Sequence, residues 1–229
     1  MDLNKLLTPS GDSAAPASAQ TVTELWTTYH SLKNKLSAVI PLETYTRLLE
    51  RGKHFPRFVV PLPRAPTPAP AASTEGSGDA ADASAAAEGG QEMYYLEWAV
   101  LPLTTPHLAL ASTSSTAGPP PKPSTVLFTS LAEYKLRREF ATPSLVLTHY
   151  TDLAHSHGVV LMRGEITEPS NGGTSGLSDA DAQRLCVTLQ RFYLASPEAG
   201  SDERIELVRI FHEEPESFDV QRLIKAATF

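Results

Sequence analysis

Ser124–Glu165, STVLFTSLAEYKLRREFATPSLVLTHYTDLAHSHGVVLMRGE, is the stretch that decides the fold. Thr125 to Thr129 reads as a strand, being β-branched and aromatic. Leu131 to Phe140 reads as a helical segment ending before Pro143, since the residue ahead of a proline is pushed out of the helical region. Leu145, Val146 and Leu147 open a second strand that reaches Tyr150. Gly158 to Ile166 is a third strand. Its run Val159, Val160, Leu161, Met162 suits a position covered on both faces. The order is strand, helical turn, strand, turn, strand. No catalytic triad, phosphate loop or metal box falls within it.

Upstream, Thr21-x-x-Glu24 fits a capping box at a helix start. Val22, Leu25, Trp26, Tyr29, Leu32 and Leu36 follow at steps of three and four, which predicts one apolar stripe. Pro41 sits where a first-turn proline belongs. Leu42, Tyr45, Leu48 and Leu49 predict a second, shorter helix, which Gly52 can close in a left-handed conformation. Phe58, Val59 and Val60 form a short strand stopping at Pro61 and Pro63. Tyr94 to Leu101 is another, carrying Tyr95 and Trp98.

Downstream, Ser178 caps the longest helix, with Asp179 and Asp181 placed favourably for the helix dipole. Ala182, Leu185, Cys186, Leu189, Phe192 and Tyr193 share its apolar face. A helix opens near Asp202, with Val208 and Phe211 inward, and a last one runs from about Phe218 to Ala226. Residues 1–20 are read as disordered, having almost nothing to bury. Residues 64–92 and 111–123 are low-complexity insertions in loops, mobile and without an apolar face that would offset the entropy of ordering. The expected architecture is a single α+β domain over 21–229, a mostly antiparallel sheet of about five strands with helices packed on it.

The formal charge of −7 is unevenly placed. Residues 65–92 carry five acids and no Lys or Arg, so they supply −5 and leave −2 for the rest. A near-neutral body has no electrostatic footprint for nucleic acid and no polybasic membrane patch. No window is apolar enough for a bilayer span, so membrane insertion is not expected. The single Cys186 excludes an internal disulfide and a Cys-rich zinc site. The N-terminal twenty residues have one Lys, no Arg and two Asp, a poor transit peptide. Either a targeting segment is missing or the chain does not enter an organelle.

Three groups of residues could carry chemistry. His149, His155 and His157 invite a metal, but no Cys or paired carboxylate completes a tetrahedral set nearby, so no cofactor is expected. His212, Glu213 and Glu214 resemble an acid/base cluster in an exposed connection. Cys186 could pair with a histidine, although its place between Leu185 and Leu189 argues for a core residue. Gly172-Gly173, Gly89-Gly90 and Ser175-Gly176 lack the strand-turn-helix context of a phosphate site or nucleophile elbow. Tyr134, Lys135, Arg137, Arg138 and Glu139 admit two readings: a solvated helix face with weak ion pairs, or a recognition surface, since Tyr and Arg dominate binding energy.

Four blocks resemble one family, the ATP11-type mitochondrial chaperones that bind the free β subunit of the F1-ATPase. They are TELWTTYHSLKNKLSAVIP (23–41) with FPRFVVPLPR (55–64); Tyr95 to Trp98; LFTSLAEYK (127–135) with ATPSLVLTHYTDL (141–153) and HGVVLMRGEI (157–166); and AQRLCVTLQRFY (182–193) with FHEEPESFDVQRLI (211–224). The resemblance implies a monomeric mitochondrial matrix protein without catalytic activity or cofactor. It would hold the unassembled F1 β subunit, keep it from aggregating and hand it on for α/β assembly. The alternative is a small mitochondrial hydrolase or transferase using a His/Glu or Cys/His pair among Cys186, His149 and His212. With the chaperone reading, the binding surface is expected around 127–153, on Phe128, Tyr134, Lys135, Arg138, Tyr150 and Leu153. Strand alternation could turn Phe128 and Tyr150 inward. In that case the helix at 21–36 or the C-terminal helices take over.

Overall fold

The computed structural model describes residues 18–33, 35–64, 90–102, 121–167, 176–195 and 202–228. In chain order these form α1 (Ala19–Leu32), β1 (Leu36–Pro41), α2 (Leu42–His54), β2 (Arg57–Pro63), β3 (Gln91–Val100), β4 (Ser124–Ser130), α3 (Leu131–Arg137), β5 (Leu145–Tyr150), α4 (Ala154–His157), β6 (Val159–Ile166), α5 (Asp179–Tyr193), α6 (Asp202–Glu213) and α7 (Val220–Ala227). The strands build one antiparallel sheet in the order β1-β6-β5-β4-β3-β2. This is the single α+β domain expected, with six strands among the described residues where about five were read.

The sheet has two unlike faces. Phe58, Val60, Leu62, Tyr94, Leu96, Trp98, Val126, Phe128, Leu145, Leu147, Val160 and Met162 are all buried on the inner face. They join one cluster with Tyr45, Leu48 and Leu49 of α2, the apolar side of α5, Leu207 and Val208 of α6, and Leu223 of α7. Burying side chains of this size contributes roughly 1.5–3 kcal/mol each, so this face is the main source of stability. The alternate residues of each strand point to the outer face. There Val22 and Trp26 of α1 pack on Leu153 and Leu161 in a second, smaller cluster. Strand β6 therefore carries Val160 and Met162 into one core and Leu161 into the other, the double coverage its unbroken apolar run requires.

Five local expectations are corrected. The N-cap of α1 is Ser18, whose side chain accepts from the Thr21 N–H; Thr21 lies inside the helix. Its buried stripe is Val22, Trp26 and His30, spaced by fours, while Leu25, Tyr29 and Leu32 are exposed. Leu36 belongs to β1, where it pairs with Gly164. Strand β2 runs on through Pro61 to Pro63, because among the described residues it is an edge strand whose only ladder is with β3. Gly52 is buried within α2 and does not end it. A Cβ there would stand 2.6 Å from the Trp98 ring, so the residue serves close approach, not a left-handed cap.

The α5 start is as read: Ser178 and Asp181 form a reciprocal capping box. Arg64, at the end of β2, reaches across to Asp181 at 2.7 Å and to Glu92 and Tyr94 on β3. Its own N–H donates to Gly90 O at 2.9 Å, closing the ladder ahead of the first insertion. Gln91 and Glu92, placed in that insertion by composition, pair with Pro63 and Leu62 instead. Residues 65–89, most of 111–123 and residues 1–17 lie outside the described residues.

Candidate recognition surface

The outer face is where this molecule has side chains to offer. Helix α1 lies over the β1 and β6 end, held by Trp26 Nε1 donating to Met162 O at 3.3 Å. Helix α3 leans on β3, where the Tyr134 ring stacks on Tyr95 with centroids 4.6 Å apart. Between them the cross-strand neighbours Leu127 and Val146, and Thr148 beside Arg163, remain partly exposed. Short as it is, α3 forms because Ser130 caps it, accepting from the Glu133 N–H. Glu133 then pairs with Arg137 one turn on, at 3.2 Å.

Where α3 ends, the backbone turns sharply. Arg138 has φ +55°, ψ −121°, a conformation that L side chains rarely adopt. The turn leaves Leu136 and Phe140 on the outside, 78% and 79% exposed. Lys135 and Arg138 flank them and are exposed as well. A second exposed apolar row lies on α1, with Leu25 at 53% and Leu32 at 83%, and Tyr29 between them. Beside Tyr29, α1 and the strands enclose a cavity of about 390 Å³ reached by Trp26, Tyr150, Lys33, Lys35 and Arg163.

The six expected partner-binding residues divide by position. Phe128 is fully buried on the inner face and presents nothing to a partner. Leu153 is also buried, as a floor residue of the α1 cluster. Tyr150 points outward, packs edge-on to Trp26 and lines the α1 cavity. Tyr134 is half-buried with one ring face taken by Tyr95; Lys135 and Arg138 are open to solvent. Leu136 at the end of α3 and Phe140 in the turn that follows it, both strongly exposed, were missed. Their i, i+4 spacing beside the cations was legible, but it reads equally as a helix face turned inward.

The groups that might have been catalytic are placed otherwise. His149 is buried opposite Ser124 on β4, with Nδ1 3.1 Å from the Ser124 hydroxyl. That hydroxyl is 2.9 Å from Tyr45 Oη, which donates to Lys122 O. Because the Tyr45 proton is committed, the Ser124 proton goes to Tyr45 and the His149 Nδ1–H to Ser124. The chain of donors ends on a backbone carbonyl, not on a substrate. Burial pulls the His149 imidazole down to about 4 and pushes the Tyr45 phenol up to about 12. Cys186 is buried in the core, its thiol pushed up to about 12 by burial, the opposite of an activated nucleophile. His212 accepts the Arg57 N–H on Nε2, which ties α6 to β2, and bonds Val208 O of its own helix through Nδ1, so both ring nitrogens are engaged. Glu213 is engaged by Arg209 at 2.6 Å. Among the described residues no cluster of His, Cys, Asp or Glu could hold a metal ion. No helix among them is long and apolar enough to cross a membrane. Gly89, Gly172, Gly173 and Ser175 lie outside the described residues.

The described residues form an α+β domain whose ionisable core groups are locked into structure and which leaves apolar and cationic side chains outside. The particular kind follows from comparison: the chain belongs to the ATP11 protein family, which matches residues 2–224. It is 31% identical over 192 residues to the protein atp11, mitochondrial, of Schizosaccharomyces pombe, covering 83% of this chain and 51% of that protein. It is 28% identical over 199 residues to the ATP synthase mitochondrial F1 complex assembly factor 1 of Danio rerio, covering 86% and 47%. Against the Homo sapiens protein of the same name it is 24% identical over 206 residues, covering 90% and 46%. The chain spans about half the length of the curated relatives it matches.

Proposed function

We propose that this chain is a non-enzymatic assembly factor for the mitochondrial F1-ATPase. It binds the unassembled β subunit in the matrix, as a monomer, keeps it from aggregating and releases it to the α subunit. The observation that carries the reading is the family match across nearly the whole chain, which includes every strand of the sheet. The geometry supports it in a second way. An obligate subunit interface resembles a domain core cut in half, and a holder of such a surface needs apolar and aromatic side chains of its own outside. Leu25, Tyr29, Leu32, Leu136 and Phe140 are exposed in this manner. The hydrolase or transferase alternative loses its groups, since Cys186 and His149 are buried and His212 is bonded on both nitrogens.

The test is co-expression of this chain with separate F1 α and β subunits, followed by affinity capture. Capture of β and not of α is expected, together with less light scattering from isolated β when the chain is added. Capture of α alone would sink the proposal.

A further inference from the structure

The cavity between α1 and the sheet combines two kinds of chemistry. Trp26, Tyr29 and Tyr150 supply aromatic surface, and Lys33, Lys35 and Arg163 supply positive charge. Among the described residues its one acidic lining residue, Glu165, is paired with Arg163 at 2.7 Å. Lys35 also borders a second cavity, which it lines together with Asp179 of α5. Lys33 and Lys35 are both exposed. The Lys33 ammonium sits 2.7 Å from the Tyr29 hydroxyl and 4.4 Å from its ring centroid, with no carboxylate paired to it among the described residues. Arg163 lies over the Tyr150 ring at 5.9 Å, and its Nε is buried with no acceptor among the described residues. A surface that concentrates cations on aromatic rings attracts carboxylates or phosphates attached to something apolar.

Tyr29 joins this cavity to the exposed row Leu25 and Leu32 on the same helix. At spacings i, i+4 and i+7 the three side chains form one continuous strip. A small free anion would fill the cavity and leave that strip bare. A polypeptide that places an acidic side chain beside apolar ones covers both.

We propose that the α1 face, cavity and strip together, receives an acidic and apolar segment of the F1 β subunit. The inference rests on the function proposed above and adds the place and the chemistry of contact. It moves the main contact from the α3 region to α1.

The experiment measures β capture by the full chain at low and at physiological salt, with three forms. They are the unaltered chain, K33Q/K35Q, and K33E/K35E. Both lysines are exposed, so unchanged thermal melting is expected in each. Steering and pairing by two cations predict that charge reversal weakens capture about tenfold at low salt, that neutralisation has an intermediate effect, and that both flatten the salt dependence. A fourth form, L25S/L32S, weakens capture without altering the salt dependence. If the unaltered chain captures β and K33E/K35E captures it equally well, the α1 site is overturned and the assembly role stands. If the unaltered chain captures no β, the assembly role and the site fall together. Displacement of β by inorganic phosphate beyond that by chloride at matched ionic strength would make the cavity a small-anion site and overturn the polypeptide. Self-association of the unaltered chain abolished by K33E/K35E, with β capture intact, would make it a contact between copies and overturn it too.

Discussion

His149 lies 2% exposed, its ring parallel to Trp98 at 5.9 Å and its Nδ1 spent on Ser124. The folded chain protonates it only near pH 4, against 6.5 for an unhindered imidazole. Between those values the unfolded chain binds more protons than the folded one, so stability rises with pH across the window. It is fully present above about 6.5 and lost as pH falls towards 4, by up to about 3 kcal/mol. Urea midpoints should therefore drop steeply from pH 6.5 to 4, and His149→Asn, which keeps a donor for Ser124, should flatten that slope. An unchanged slope would mean that other groups carry the acid sensitivity. Gly52 is a second sensitive position. Gly52→Ala places a methyl 2.6 Å from Trp98, a ring fenced by His149 and Tyr193, and should cost roughly 1–3 kcal/mol in denaturant unfolding. Arg138 is the reverse case. Arg138→Gly relieves a positive φ and should raise stability by about 1 kcal/mol. If stability falls, the side chain packs more than its exposure indicates.

At the scale of elements, α1 is attached by a cluster separate from the main core. Val22 and Trp26 meet Leu153 and Leu161, and one indole N–H reaches Met162 O. A helix held by so few contacts opens below the global unfolding free energy. Trp26→Ala removes the largest of them and should cost about 3 kcal/mol locally. In hydrogen exchange the α1 amides should lose protection while those of β4 and β5 keep theirs. Loss of protection across the sheet as well would show that the two clusters unfold as one. The main core is tied differently. Arg191 of α5 donates to Ala227 O at 3.0 Å, His212 holds α6 to β2, and Tyr193 Oη donates to Phe55 O at 2.8 Å. These polar ties fix the helices over the inner face and leave the outer face to α1 and α3.

For the whole molecule, the question is how the long insertion is borne. The Pro63–Gln91 register and the Arg64 N–H bond to Gly90 close the β2–β3 hairpin before the insertion leaves it. Arg64 then pairs with Glu92 and Asp181, joining the hairpin base to α5. Lengthening a loop with closed ends adds little closure entropy. Replacing residues 65–89 by a short Gly/Ser linker should keep the melting temperature within about 2 °C, a shift worth a few tenths of a kcal/mol for a domain of this size, and leave β capture unchanged. A larger drop would show that the segment packs on the domain. The replacement also removes four of the chain's excess acids, Glu75, Asp79, Asp82 and Glu88. A rise in β capture on their removal would mean that they compete for the α1 lysines.

By itself, the sequence determined what short-range physics controls. The alternation in Leu145–Tyr150, the unbroken run at Val159–Met162, the Ser178 capping box and the apolar face of α5 all stand where their patterns put them. Each depends on neighbours within a few residues. Strand β1 escaped because Leu36 continues the three-and-four spacing of α1, and nothing local says that the helix stops at Leu32. Which stripe of α1 is buried was equally illegible: Leu25, Tyr29 and Leu32 form as good a row as Val22, Trp26 and His30. The choice is made by Leu153 and Leu161, more than a hundred residues away. The neutral, spent state of His149 needs Tyr45 and Trp98 from other elements. The α1 cavity exists only where a helix from one end of the sequence crosses strands from its middle. Periodicity fixes which residues belong together within an element. Only the packing of distant elements decides which face is covered, and so which side chains are left for a partner.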